Sequence, residues 1–183
     1  MGVAVRLQAR RTGVGTGTAV AVVAAVLAGC TASAQPARTP HAASFTAGGV
    51  RVTVRVESRD DGGSRLLAEL RPRQAGFHLY SLDLPDDGVD GIGVPTRIRT
   101  EGGLRATGPA GTDAKERMLR PAGLDVALPV YDDGPVTLEL PVRRAEGGDS
   151  TRVFLTYGAC SESAGCLPPV RDRAVTLPLS RRG

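Results

Sequence analysis

An all-β chain folded as an antiparallel β-sandwich is what this sequence predicts, on three observations. Apolar residues recur at every second position in several short runs, and clusters of Gly, Pro and Asp separate those runs. No stretch carries a long helical apolar stripe. Period-two alternation is the mark of a strand with one buried face, because successive side chains point to opposite faces. Seven or so such strands with turn signals between them indicate two packed sheets.

The first run is Val50, Val52, Val54 and Val56, alternating with Arg51, Thr53, Arg55 and Glu57. Asp60-Asp61-Gly62-Gly63 turns the chain into a second strand through Leu66 to Leu70. Gly76-Phe77-His78-Leu79-Tyr80 starts a third, closed by Pro85-Asp86-Asp87-Gly88, and Val94 to Thr100 is a further candidate. Residues 101–123 are rich in Gly, Ala and Pro and read as a long loop. Within that loop, Thr112 to Leu119 has room for one helical turn or two. After Asp132-Asp133-Gly134-Pro135, alternation returns at Val136, Leu138, Leu140 and Val142. Val153, Leu155 and Tyr157 then precede a cysteine-bearing connection, and Val175, Leu177 and Leu179 follow it.

The N-terminus has a different composition. Arg6, Arg10 and Arg11 supply a positive start, and Ala19 to Gly29 is an apolar run too short to span a bilayer. The run ends Leu27-Ala28-Gly29-Cys30, which resembles the lipobox of bacterial lipoproteins. That resemblance implies cleavage after residue 29 and a diacylglyceryl thioether on Cys30, which would hold the chain on the lipid bilayer at the extracytoplasmic face of the cell membrane. Residues 1–29 are thus expected to be a lipoprotein signal peptide. Residues 30–44, small, polar and Pro-containing, read as the lipidated Cys and a flexible tether, and residues 45–183 as one domain.

Charge excludes one partner class. The net charge of +4 owes three arginines to the targeting segment, and the remaining 20 Lys and Arg against 19 Asp and Glu leave the rest at +1. Those charges are interspersed, form no basic stripe and stand beside almost no aromatic residues, so nucleic acid is not the expected partner.

With Cys30 assigned to lipid, Cys160 and Cys166 are the pair open to sulfur chemistry, with five residues between them. In an exported chain such a pair is either a staple or an electron carrier. Closing so short a ring contributes only about 2 kcal/mol in the chain-entropy picture. A metal site needs two further ligands, and the histidines are His41 in the tether and His78 in a strand, so no metal is expected there. Spacing alone leaves the structural and redox readings both open.

The surroundings add a resemblance. Tyr157, Gly158, Cys160, Gly165, Cys166 and Pro168-Pro169, followed by Thr176-Leu177-Pro178, resemble the N-terminal periplasmic domain of the thiol:disulfide interchange protein DsbD. Gly76-Phe77-His78-Leu79-Tyr80 is similar to that family's Gly-aromatic-aromatic-Leu-Tyr strand, and the likeness runs loosely from Phe45 to Leu179. The resemblance implies an immunoglobulin-like sandwich whose Cys160–Cys166 pair cycles between dithiol and disulfide without a cofactor, as a component of a protein-disulfide reductase. Cys166 would form mixed disulfides and Cys160 would resolve them, with Phe77, Tyr80, Tyr157 and Pro168 lining the site. The implied partners are a membrane electron transporter of the DsbD/CcdA type and exported thioredoxin-fold proteins, in cytochrome c biogenesis or disulfide repair. Family members continue into membrane helices and a thioredoxin domain; here the electron source is expected to be a separate polypeptide. The family's cap loop, an acidic pair with Phe-Tyr-Gly, has no counterpart between Arg105 and Tyr131, where Leu124 or Leu128 are the available substitutes. The alternative from another class is an immunoglobulin-like binding or structural lipoprotein with an architectural disulfide.

Other residues carry less. Asp83, Asp86, Asp87 and Asp90 are of a type that holds Ca²⁺, but their spacing is not that of an EF-hand, and aspartates are ordinary turn residues. Ser161 and Ser163 flank no recognisable base, and His78 lacks a nucleophile in a hydrolase-type context, so a packed or surface role is expected for it.

Overall fold

Val50, Val52 and Val54 are fully buried and Arg51 is exposed, so the valine alternation does set the inner and outer faces of a strand. The computed structural model describes residues 42–60 and 62–179. The expected signal peptide, Cys30, most of the tether and the Arg181-Arg182 end lie outside the described residues. All regular structure among the described residues is strand, and no helix is present.

The strands follow in chain order as β1 (Ala42–Ala47), β2 (Val50–Ser58), β3 (Ser64–Pro72), β4 (His78–Leu79), β5 (Arg97–Gly102), β6 (Leu104–Ala106) and β7 (Gly111–Thr112). Then come β8 (Glu116–Leu119), β9 (Leu128–Tyr131), β10 (Val136–Arg144), β11 (Ser150–Tyr157), β12 (Ala159–Ser161), β13 (Gly165–Cys166) and β14 (Val170–Pro178). All pairings are antiparallel. One sheet runs β1-β2-β3-β10-β6, with β7 also on β10, and the second runs β14-β11-β5. Val52, Leu70 and Leu138 of the first sheet and Ile98, Val153, Leu155 and Leu177 of the second share one buried cluster, so the two sheets close on each other. The chain is an immunoglobulin-like antiparallel β-sandwich.

Three departures from the sequence reading bear on the site. Ala42–Ser44, read as tether, pair with Thr53–Arg55 as the start of β1. The turn joining β1 to β2 is Gly48-Gly49, both with positive φ, the two-residue hairpin geometry that glycine admits at no steric cost. A Cβ on Gly48 would lie 2.6 Å from the Pro168 carbonyl oxygen, so the same turn seats the segment that follows Cys166.

The second departure corrects the helical turns expected at Thr112 to Leu119. That stretch is β7 and β8, and Thr112 donates its hydroxyl to the Thr137 carbonyl and accepts from the Ala114 N–H, fixing an extended edge instead of a helical turn. The third is that residues 101–123 are not one loop: β6 and β7 pair with β10, and β8 pairs with β9. Strands of two to four residues are too short to leave a periodic signal.

Candidate functional site

Beside the two sheets of the sandwich, β13, β12 and β4 form a small sheet of their own with β12 in the middle. Cys160 on β12 stands directly opposite Cys166 on β13 and directly opposite His78 on β4. Opposed residues of an antiparallel pair put their side chains on the same face, so the three lie in a row with Cys160 at the centre. Cys160 and Cys166 are joined by a disulfide across the β12–β13 hairpin, with Cα atoms 4.0 Å apart. The hairpin turn is held by Ser161, whose hydroxyl accepts from the Ser163 and Ala164 amides at 3.4 Å. The Leu167 amide then donates to the Ala159 carbonyl at 2.9 Å.

The two sulfurs sit in unlike surroundings. Cys160 is 6% exposed, packed with Tyr80, Leu84, Leu119, Val126, Leu128 and Val130. Cys166 is exposed, as are Ser163, Ala164 and Gly165 before it. The burial of Cys160 comes from the β8–β9 hairpin, which supplies Leu119, Leu128 and Val130 and is pinned by short hydrogen bonds. The Ser81 amide donates to the Pro129 carbonyl at 3.0 Å, the Ser81 hydroxyl to Glu116 Oε2 at 2.6 Å, and the Leu82 amide to the Tyr131 hydroxyl at 2.9 Å. Of the two leucines considered as cap residues, Leu128 is fully buried beside Cys160, whereas Leu124 is exposed in the hairpin's connecting segment.

Tyr80 touches the disulfide. Its hydroxyl lies 3.3 Å from Cys160 Sγ, and since a disulfide sulfur carries no proton, Tyr80 donates. Burial raises its pKa, so the hydroxyl keeps the proton it donates. The ring is clamped: a Cβ on Gly158 would come within 3.1 Å of it, and the Thr96 hydroxyl donates to the Tyr80 carbonyl at 2.5 Å.

The other expected lining residues have different surroundings. Phe77 belongs to the sandwich core, on the face of the sheet opposite to His78 and Tyr80. Tyr157 is also in that core, its hydroxyl donating to the Ala47 carbonyl at 3.0 Å, and burial pushes its pKa up to about 12. It anchors the β1–β2 turn that seats Pro168, which is itself exposed.

His78, for which a packed or surface role is expected, is packed. It is 1% exposed, and neither ring nitrogen has a hydrogen-bond partner among the described residues. Its ring meets Tyr80 edge-on at 6.2 Å between centroids, and its Nδ1 lies 3.7 Å from Asp133 Oδ1. Burial lowers its pKa and Arg117 lowers it further, while Asp133 and Glu162 act in the opposite direction. These charges form one network: Arg117 of β8 lies 3.3 Å from Glu162 in the cysteine hairpin, 3.6 Å from Asp133 and 3.8 Å from Asp132. Among the described residues no group of three or more His, Cys, Asp or Glu is arranged to hold a metal ion, the Asp83–Asp90 turn included.

No protein-family model and no curated protein matches the sequence. Among solved structures, the N-terminal periplasmic domain of ScsB from Proteus mirabilis is similar over 76% of this chain, with a TM-score of 0.52 and 15% identity. The chain shares the fold of that ScsB domain. It spans about half of that structure, 52% of its length. The N-terminal domain of Neisseria meningitidis DsbD, solved in its reduced form, aligns over 74% of this chain and 87% of its own, with a TM-score of 0.41 and 19% identity. At such identity the ScsB likeness speaks for the arrangement of strands; the chemistry has to come from the cysteines themselves.

Proposed function

We propose that this chain is an extracytoplasmic thiol–disulfide exchange domain that passes electrons through Cys160 and Cys166. The observation that carries the reading is the asymmetry of the bond: one sulfur is open to solvent and the other is sealed against a tyrosine hydroxyl. Exchange requires in-line approach of a thiolate to one sulfur and departure of the other as a thiolate. Cys166 is the sulfur a partner can reach. When a partner thiolate attacks it, the Cys160–Cys166 bond breaks, Cys160 leaves as a thiolate, and Tyr80 donates a hydrogen bond to the charge that forms. In the opposite direction Cys166 attacks a partner disulfide, and Cys160 then attacks Cys166, releasing the partner reduced and closing the ring.

In this reading Cys166 forms the mixed disulfide and Cys160 resolves it, with Tyr80 as the lining residue that touches sulfur. Phe77, Tyr157 and Pro168 support the frame. Cys30, lipidated at the membrane surface, would hold the domain near its reductant. The partners are a membrane electron transporter of the DsbD/CcdA type and exported thioredoxin-fold proteins, serving cytochrome c biogenesis or disulfide repair.

Trapping tests the assignment. Cys160→Ala is expected to accumulate a mixed disulfide with a thioredoxin-fold protein, and Cys166→Ala to form far less of it. The reduction potential is expected between the thioredoxin and disulfide-isomerase values, about −270 to −180 mV. A potential well below about −300 mV, with no adduct from either variant, would leave an immunoglobulin-like module with an architectural disulfide.

A further inference from the structure

We propose that His78 is the proton acceptor for Cys160, converting the buried resolving thiol into the thiolate that closes the ring. The inference deepens the exchange reading and rests on it.

Cys160 lies on the middle strand of the small sheet, with Cys166 opposite on one side and His78 opposite on the other. Opposed Cβ atoms in an antiparallel pair are roughly 4.5–5.5 Å apart, so a Cys160 sulfur released from the disulfide has two neighbours within reach of a χ1 rotation. One is the sulfur it has left; the other is an imidazole. A buried ring with two unsatisfied nitrogens is costly in a folded protein, because each loses water without gaining a partner. The cost is explained if a partner exists in another state of the site, and a Cys160 thiol is one: the S–H donates to an imidazole nitrogen.

Before the resolving step, the mixed disulfide joins Cys166 to a partner sulfur, and Cys160 carries a proton. His78 takes that proton; Cys160 attacks Cys166 Sγ; the Cys166–partner bond breaks and the partner leaves as a thiolate. In this step the Cys160 sulfur is oxidised, the partner sulfur is reduced, Cys166 stays at the disulfide level, and the imidazolium returns its proton to the departing thiolate or to water. The groups facing His78 set how readily it charges. Asp133, beyond β9, and Glu162, in the cysteine hairpin, favour the imidazolium, Arg117 of β8 opposes it, and Tyr80, on its own segment, stays neutral. A Cys–His pair of this kind activates sulfur nucleophiles generally.

The test uses the reduced protein and dithionitrobenzoate. Cys166 releases the first thionitrobenzoate and becomes a mixed disulfide; attack by Cys160 releases the second, and both are read by absorbance. In the wild type the second release is expected to keep its rate below the pH at which an ordinary thiol ionises. In His78→Gln and His78→Phe it should slow at least about tenfold at pH 7, with its pH midpoint rising toward that of a free thiol, near 8.5. The first release should be unchanged in both variants, and cooperative thermal unfolding of each shows that they fold. A second release with the same rate and pH midpoint in all three proteins would overturn the role of His78 and leave the exchange reading standing. Failure of the wild type to release either equivalent would remove both.

Discussion

Reducing the Cys160–Cys166 bond should destabilise the domain only slightly, and the size of that loss separates an exchange site from a staple. The bond closes a ring with a sequence separation of 6 within one hairpin. The chain-entropy relation gives about 2 kcal/mol for a ring of this length. Neither sulfur belongs to the sandwich core: that core is built mainly on β2, β3, β5, β10, β11 and β14, the small sheet adds Leu79 and Ala159 to it, and Cys160 belongs to the smaller cluster under the β8–β9 hairpin. By thermodynamic linkage, what the disulfide contributes to folding, folding contributes to the disulfide. About 2 kcal/mol therefore makes the bond harder to reduce by only roughly 40 mV relative to the same cysteines in the unfolded chain. Urea titrations of the oxidised protein and of the protein kept reduced should give unfolding free energies differing by about 2 kcal/mol with equal slopes, and a melting temperature lower by roughly 7 °C. A difference of about 5 kcal/mol or more would correspond to a bond protected by over about 100 mV, and unfolding on reduction would mean the bridge is structural. Either result would count against an exchange site.

Three further outcomes follow from the same geometry. Tyr80→Phe keeps the clamped ring and removes the 3.3 Å contact to Cys160 Sγ; hydrogen bonds to charged groups contribute about 1.5–3 kcal/mol, so partner attack on Cys166 should slow by roughly 10- to 100-fold with little change in thermal stability, measured by stopped-flow reduction. Leu128→Ala removes a fully buried side chain from the cluster that covers Cys160; it should cost about 2–5 kcal/mol and raise the alkylation rate of reduced Cys160. Because the pKa of His78 is lowered in the folded state from its ordinary 6.5, the unfolded chain binds the extra proton first as pH falls. Stability is full above 6.5 and declines below it until the folded-state value is passed, and His78→Gln should flatten that part of a pH-dependent denaturation series.

Much of the sandwich was legible because several of its long strands keep one wet face. Val50 to Val56, Val136 to Val142 and Val153 to Tyr157 alternate in the sequence and lie in strands whose inner positions are buried. The failures have a common physical cause. β1 carries a weak alternation of Ala, Phe and Thr at a sheet edge, where half-burial asks little of a side chain; the Gly48-Gly49 pair that closes its hairpin was the stronger signal. The strands between Gly102 and Leu119 are two to four residues long and take their place from pairing with β10 and β9, a property of the partner strand that no local pattern contains.

The site divides along the same line. The cysteine spacing and Tyr80 were readable, but Phe77 and Tyr80 could not both face the sulfurs: three residues apart on an extended segment, they point to opposite sides. The alternation that sends Phe77 and Leu79 into the sandwich core turns His78 and Tyr80 toward Cys160, and the order of these four residues along the chain already implies it. What the sequence does not contain is the cap. Leu119, Leu128 and Val130 converge on Cys160 from a hairpin that carries no cysteine and no family motif, and Arg117 of that hairpin reaches Glu162 across the gap. Covering one sulfur while leaving its neighbour in water requires the cysteines to straddle the rim of that hairpin. A two-residue shift in β8–β9 register would move its apolar pairs along the strands and alter which sulfur lies beneath them. The chemistry assigned to Cys160 and Cys166 therefore depends as much on how Leu119 pairs with Leu128 as on the cysteines themselves.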